Sequence, residues 1–169
     1  SGLNQSMVRH LRGIAQSVQQ RVDLRPGDLV LDIGSNDGTL LSSYDRVDCR
    51  LVGIDPTGAK FAEFYPSHVE LIPEFFSATA LSRHVGARKA RVITSIAMFY
   101  DLEHPQEFVD GIRDSLADDG IWLFEQSYMP WMLRSGAYDT ICHEHLEYYS
   151  LTTIKHILDD AGLYLLDAA

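Results

Sequence analysis

The sequence predicts an α/β fold: a Rossmann-like, mostly parallel sheet with helices on both faces. Three observations predict it. Short apolar runs alternate with stretches of helical period along 169 residues. The first apolar run ends in a loop bearing Gly34 and Gly38. The second ends in an acid, Asp55. Ligands of such sheets bind beyond the carboxyl ends of the strands, so the run endings carry the functional argument.

Each element has its own signal. Residues 1–24 hold a leading helix, with Met7, Val8, Leu11, Ile14, Ala15, Val18 and Val22 on one face and Ser6 as N-cap. Residues 25–28, Arg-Pro-Gly-Asp, are a turn. Strand 29–33 follows, then a helix starting near 38–40, strand 51–54 and a helix over 59–65. Strand 69–72 stops at Pro73, and a helix spans 78–85. Strand 91–96 leads to an amphipathic helix over 105–117 through Phe108, Val109, Ile112 and Leu116. Asp118-Asp119-Gly120 ends that helix, and strand 121–124 follows. A helix over 152–161 is closed by Gly162, and 163–166 reads as a sixth strand.

Composition bounds the function classes. The hydrophobic fraction of 46% suits one globular domain over 1–169. A net charge of −10 and a pI near 5.0 disfavour nucleic acid and anionic membranes as partners, leaving a small-molecule substrate. No run approaches a membrane span, and no signal peptide opens the chain. Two distant cysteines, Cys49 and Cys142, read as free thiols in a reducing compartment, so the expected location is cytoplasmic. No CxxC pair is present and no metal site is expected.

The loop 32–38 reads Asp-Ile-Gly-Ser-Asn-Asp-Gly. Gly34 permits a tight turn, and Gly38 lets the next segment approach the strand. Asn36 replaces the glycine that lets a pyrophosphate approach the backbone. Asp55 stands where an acid accepts both ribose hydroxyls. Together they indicate a nucleoside ligand without a strong phosphate cradle. S-adenosylmethionine (SAM) fits, because Asp32 and Asp37 suit an amine and a sulfonium better than a phosphate. The plainer alternative is an ordinary strand-to-helix turn with surface acids.

On these motifs the chain resembles the class I SAM-dependent methyltransferases. DIGSNDGTLL (32–41) is similar to their first motif and GIDP (53–56) to their second, while PEFF (73–76) sits where they contact adenine. TICHEHLEYYSL (140–151) resembles the signature of sugar C-methyltransferases acting on nucleotide-activated keto-deoxysugars; SGLNQSM (1–7) and SIAMFYDLEHP (95–105) look similar to members of that group. The resemblance implies SAM as cofactor and S-adenosylhomocysteine (SAH) as product. It implies cofactor contacts from Asp32, Gly34, Ser35, Asn36, Gly38, Asp55, Pro56, Glu74, Phe75 and Ser95. It implies acid–base residues at Glu144 and His145, with His143 alongside. It further implies flanking zinc-binding and C-terminal domains and a last, seventh strand, none of which these residues contain; the sheet edge that the missing strand leaves favours association, so a homodimer is the expected assembly. Cys142 stands where some of these enzymes carry tyrosine, and Asp101 where many carry histidine.

C-methylation of a carbon next to a ketone needs a base and a stabiliser for the enolate oxygen. An extended 143–145 segment directs His143 and His145 one way and Glu144 the other. His145 is then the base, Glu144 its partner or rival, and Tyr148 or Tyr149 an oxyanion donor. A zinc site and a structural polar cluster are the plainer alternatives for the His-Glu-His segment. The competing functions are O- or N-methylation of another small molecule, a SAM-binding module without chemistry, and an NAD-binding domain with a degenerate loop.

Overall fold

A computed structural model describes residues 4–45, 48–137, 141–143 and 145–168. The element order is α1 (Gln5–Arg21), β1 (Leu29–Ile33), β2 (Arg50–Ile54), β3 (Val69–Ile72), α2 (Ala78–Val85), β4 (Ala90–Ile96), α3 (Pro105–Ser115), β5 (Leu116–Glu125), α4 (Met129–Ser135) and α5 (Leu151–Asp160). Five parallel strands form one sheet in the order β3-β2-β1-β4-β5, with helices around it. The chain divides into two compact units, Ser1–Ser95 with Ser115–Leu123, and Ile96–Asp114 with Phe124–Ala169.

The first unit is built on β1, whose five residues are all buried. A strand hydrogen-bonded on both sides and covered on both faces must be apolar throughout, which Leu29, Val30, Leu31 and Ile33 satisfy. Asp32 is the exception. Register places Asp32 beside Gly53 of β2 and Thr94 of β4, and Ile33 beside Ile54 and Ser95. Asp32, Asp55 and Ser95 therefore gather at one carboxyl end because they close three neighbouring strands.

Several elements differ from the sequence reading. Helix α1 is capped by Asn4, not Ser6: the Asn4 Oδ1 accepts from the amides of Ser6 (3.0 Å) and Met7 (3.4 Å), and the Ser6 hydroxyl also donates to it. The expected helix after the glycine loop shrinks to a 3₁₀ turn, Leu41–Ser43. Two hydroxyls compete with the helical ladder there, Ser42 Oγ bonding the Gly38 carbonyl and Ser43 Oγ that of Thr39. The helix expected over 59–65 is 3₁₀ as well, Gly58–Phe64. Helix α3 stops at Ser115, and Asp118-Asp119-Gly120 lies within β5 instead of ending the helix. Arg91 pairs with Asp119 at 2.9 Å, and a Cβ at Gly120 would come within 2.8 Å of the Ala90 carbonyl oxygen, so the segment is held closely against β4. Residues 163–166 are not a strand: no ladder partner is present among the described residues, and Tyr164 and Leu166 are exposed.

The second unit has an aromatic core. Phe99, 1% exposed, meets Phe108, Phe124 and Tyr149 at ring-centroid distances of 6.0, 5.6 and 5.3 Å. Helix α4 was not anticipated from the sequence; it buries Met132 and leaves Trp131 exposed. Helix α5 begins at Ser150, whose hydroxyl caps Thr153, and ends where Gly162 takes φ +76. Among the described residues no helix is long and apolar enough to cross a membrane.

Candidate active site

In the first unit the loop after β1 is shaped by three left-handed residues, Gly34 (φ +71), Asn36 (φ +51) and Gly38 (φ +72). Gly38 has a second constraint, since a Cβ there would meet the Tyr65 ring at 3.1 Å. Asp55 organises the loop from β2. One carboxylate oxygen accepts the Asn36 amide at 2.9 Å; the other accepts the Thr57 amide and hydroxyl, each at 2.7 Å. The Thr57 pair fills Oδ1, while Oδ2 retains capacity for one more donor. Pro56 follows on the exposed side of that turn.

Asp32 is 4% exposed and accepts a 2.6 Å hydrogen bond from Thr94 Oγ1. No ion pair to it is found among the described residues. Burial pushes its carboxyl up to about 7, against the lowering effect of the Thr94 bond and with a further raise from Asp55. Two buried acids without a cation make a site that repels phosphate and favours a ligand bringing positive charge. SAM, with its sulfonium and ammonium, fits that donor set.

The other expected cofactor residues divide. Phe75 is 80% exposed, so it is not a core residue and its face is open to an adenine ring. Glu74 points at α2, where its carboxylate bonds His84 Nε2 (3.1 Å) and Arg83 (2.6 Å); these hold it below the usual carboxylate range. Ser35 is buried with its hydroxyl 2.8 Å from that of Tyr65. The Ser95 side chain is wholly buried and accepts from Trp122 Nε1 at 2.9 Å. Ser35 and Ser95 therefore turn their side chains to the protein, leaving backbone as their means of touching a cofactor. Tyr65, Thr94 and Trp122 were not singled out from the sequence. Two polar residues side by side after the apolar pair Val92-Ile93, Thr94 and Ser95, were the available signal; Tyr65 offered none.

In the second unit His143 and His145 do not belong to a strand, and the His145 amide donates to the Cys142 carbonyl at 3.3 Å. The amides of Leu146 and Glu147 both donate to the Tyr100 carbonyl (3.0 and 3.1 Å), which draws the chain across residue 100 instead of along a ladder. His145 is half-buried, its ring 4.2 Å from that of Tyr100 and 6.4 Å from that of Tyr148. His143 is exposed, and Glu144 lies outside the described residues. The Tyr148 hydroxyl lies 3.3 Å from the Cys142 amide and 3.4 Å from its carbonyl, and the ring borders an apolar hollow with Met129, Met132 and Ile141. Tyr149, by contrast, is a core residue, 5% exposed. Among the described residues no three His, Cys, Asp or Glu side chains gather as metal ligands do.

Comparison with known proteins bears on the family and the fold. Residues 7–168 match a methyltransferase domain family. The chain is 30% identical over 164 residues to the C-methyltransferase NovU of Streptomyces niveus, covering 96% of this chain but 39% of that protein, so it spans about two fifths of the relative's length. Among solved structures, an O-methyltransferase family protein from Burkholderia thailandensis superposes with a TM-score of 0.71 at 19% identity, over 99% of this chain and 55% of that one. The plantazolicin methyltransferase BpumL, crystallised with a pentazolic desmethylPZN analog and SAH, gives 0.67 at 19%, over 89% and 61%. At these identities the two structures speak for the fold alone. With the family match spanning nearly its full length, the chain belongs to the class I methyltransferases, the group whose cofactor is S-adenosylmethionine.

Proposed function

We propose that this chain is the cofactor-binding domain of a C-methyltransferase that acts on a nucleotide-linked keto-deoxysugar. The observation that carries the reading is the segment 140–151, which resembles the signature of that group, in a chain 30% identical to a C-methyltransferase over 96% of its length. In this reading Asp55 binds the ribose hydroxyls, Asp32 balances the cofactor's positive charge, Phe75 stacks on adenine, and the amides of the 34–38 loop with Pro56 complete the cleft. When bound, SAM supplies an electrophilic methyl group.

The chain's own residues then have to produce a carbon nucleophile. His145 takes the proton from the carbon beside the ketone; a histidine suits the task because its ordinary pKa lies near neutrality. The ring of Tyr100 limits the orientations open to the imidazole. Tyr148 donates to the developing enolate oxygen once its hydroxyl leaves the Cys142 carbonyl. Glu144 and His143 complete the acid–base set, and a homodimer is the proposed assembly.

The test uses the intact enzyme in deuterium oxide with a nucleotide-linked keto-deoxysugar and no SAM. Deuterium entering the carbon beside the ketone, and lost in His145→Ala, is the expected result. Methyl transfer to oxygen or nitrogen, without carbon exchange, overturns the reading.

A further inference from the structure

We propose that Tyr65 is a positioning residue of the cofactor site: with Asp55 it clamps the Asn36 peptide from both sides and holds the glycine loop in its binding conformation. The inference rests on the reading that the 34–38 loop binds SAM.

Asn36 stands in the left-handed region at φ +51, which asparagine enters more readily than other residues with a Cβ but at a cost that glycine does not bear. Without a tie Asn36 would also sample right-handed backbone and carry its flanking amides with it. Two bonds prevent this. The Asn36 amide donates to Asp55 Oδ2 at 2.9 Å, and its carbonyl accepts from the Tyr65 hydroxyl at 3.0 Å. With its one proton on that carbonyl, the Tyr65 oxygen accepts from the Ser35 hydroxyl at 2.8 Å. Asn36 thus has both backbone polar groups pinned, and Ser35 is tied to the same tyrosine.

The sequence leaves room for this ring at two places. A Cβ on Gly38 would meet Tyr65 at 3.1 Å, and so would one on Gly53, which would also come within 2.5 Å of Ser35 Oγ. The two glycines let the tyrosine lie against both the loop and β2. Burial, opposed by the Ser35 bond, pushes the Tyr65 hydroxyl up to about 12, so it remains a donor at every working pH. A clamp of this kind is what a loop needs when asparagine replaces the glycine that tolerates φ above zero.

The experiment is a double-mutant cycle on the full protein. Wild type, Tyr65→Phe, Asn36→Gly and the double variant are titrated calorimetrically with SAH and SAM, and SAM kinetics are measured on the turnover assay. Hydrogen exchange over 33–38 is followed with and without SAH. Tyr65→Phe removes one hydroxyl and keeps the ring; its Kd for both ligands rises roughly three- to tenfold, as loss of one hydrogen bond predicts. KM for SAM rises by the same factor while kcat at saturating SAM is unchanged. In the Asn36→Gly background the same step raises Kd less than about twofold, because glycine needs no clamp at φ +51. An unchanged Kd in Tyr65→Phe, or the same loss in both backgrounds, overturns the proposal. SAH binding to wild type without protection of 33–38 instead overturns the underlying reading of the loop.

Discussion

The loop after β1 and the segment after Ile141 both carry expected site residues, yet they are held in opposite ways. Asp32 and Asp55 sit at the ends of neighbouring parallel strands, whose register fixes where they stand, and each is buried and hydrogen-bonded. His143 and His145 sit outside any strand, where a few backbone bonds to Cys142 and Tyr100 and ring contacts hold the segment. A parallel ladder over-determines its strand ends; a coil segment is determined by whichever donors and acceptors it happens to meet. The first arrangement suits the cofactor cleft proposed for it, and the second leaves the proposed base, His145, under fewer constraints.

Substitutions can break this contrast, beginning with the largest effect. His145→Ala in the intact enzyme should lower kcat by about 10²–10⁴-fold, the usual worth of a general base, while the Kd for SAH stays unchanged. A joint loss of binding and turnover would mean that the segment supports the cleft and not the chemistry. Asp55→Ala should weaken SAH by roughly a hundredfold, corresponding to about 3 kcal/mol for charge-assisted bonds. It should also lower the melting temperature, because the amides of Asn36 and Thr57 lose their acceptor.

Asp32 sharpens the comparison through pH. Its carboxyl titrates near 7 in the folded protein and near 3.8 in the unfolded chain. The unfolded state therefore ionises first as pH rises, and stability falls between about pH 4 and about pH 7, then levels off. Urea midpoints at pH 5 and pH 7.5 should differ less in Asp32→Asn than in wild type. The cationic cofactor favours the ionised acid, so SAM affinity should rise over the same interval and lose that rise in the variant. The smallest effect belongs to Phe75→Ala, expected to weaken SAH about three- to tenfold by removing one aromatic face. Stability should hardly change, since the ring is 80% exposed.

The sequence alone was enough to read the parallel α/β class, the five strands and the order of loop and acid. Those features depend on period, on Gly34 and Gly38, and on acids that close apolar runs. Local hydrogen bonding escaped that reading: Ser42 and Ser43 shortened the helix after the loop, and Asn4 displaced Ser6 as a cap. Long-range pairing escaped it too. The pull of Arg91 on Asp119 converted an expected helix end into strand. The absence of a ladder partner among the described residues left 163–166 outside the sheet.

Periodicity and residue type, which neighbours along the chain carry, determined the class of this protein and the place of Asp32 and Asp55 at the ends of their strands. Only the tertiary structure decided that Ser35 and Ser95 face the protein, that Glu74 serves Arg83 and His84, and that His145 lies outside any strand. Those outcomes depend on partners such as Tyr65, Trp122 and Tyr100, which lie far away in sequence. A side chain's direction is set by the donor or acceptor that burial forces it to find.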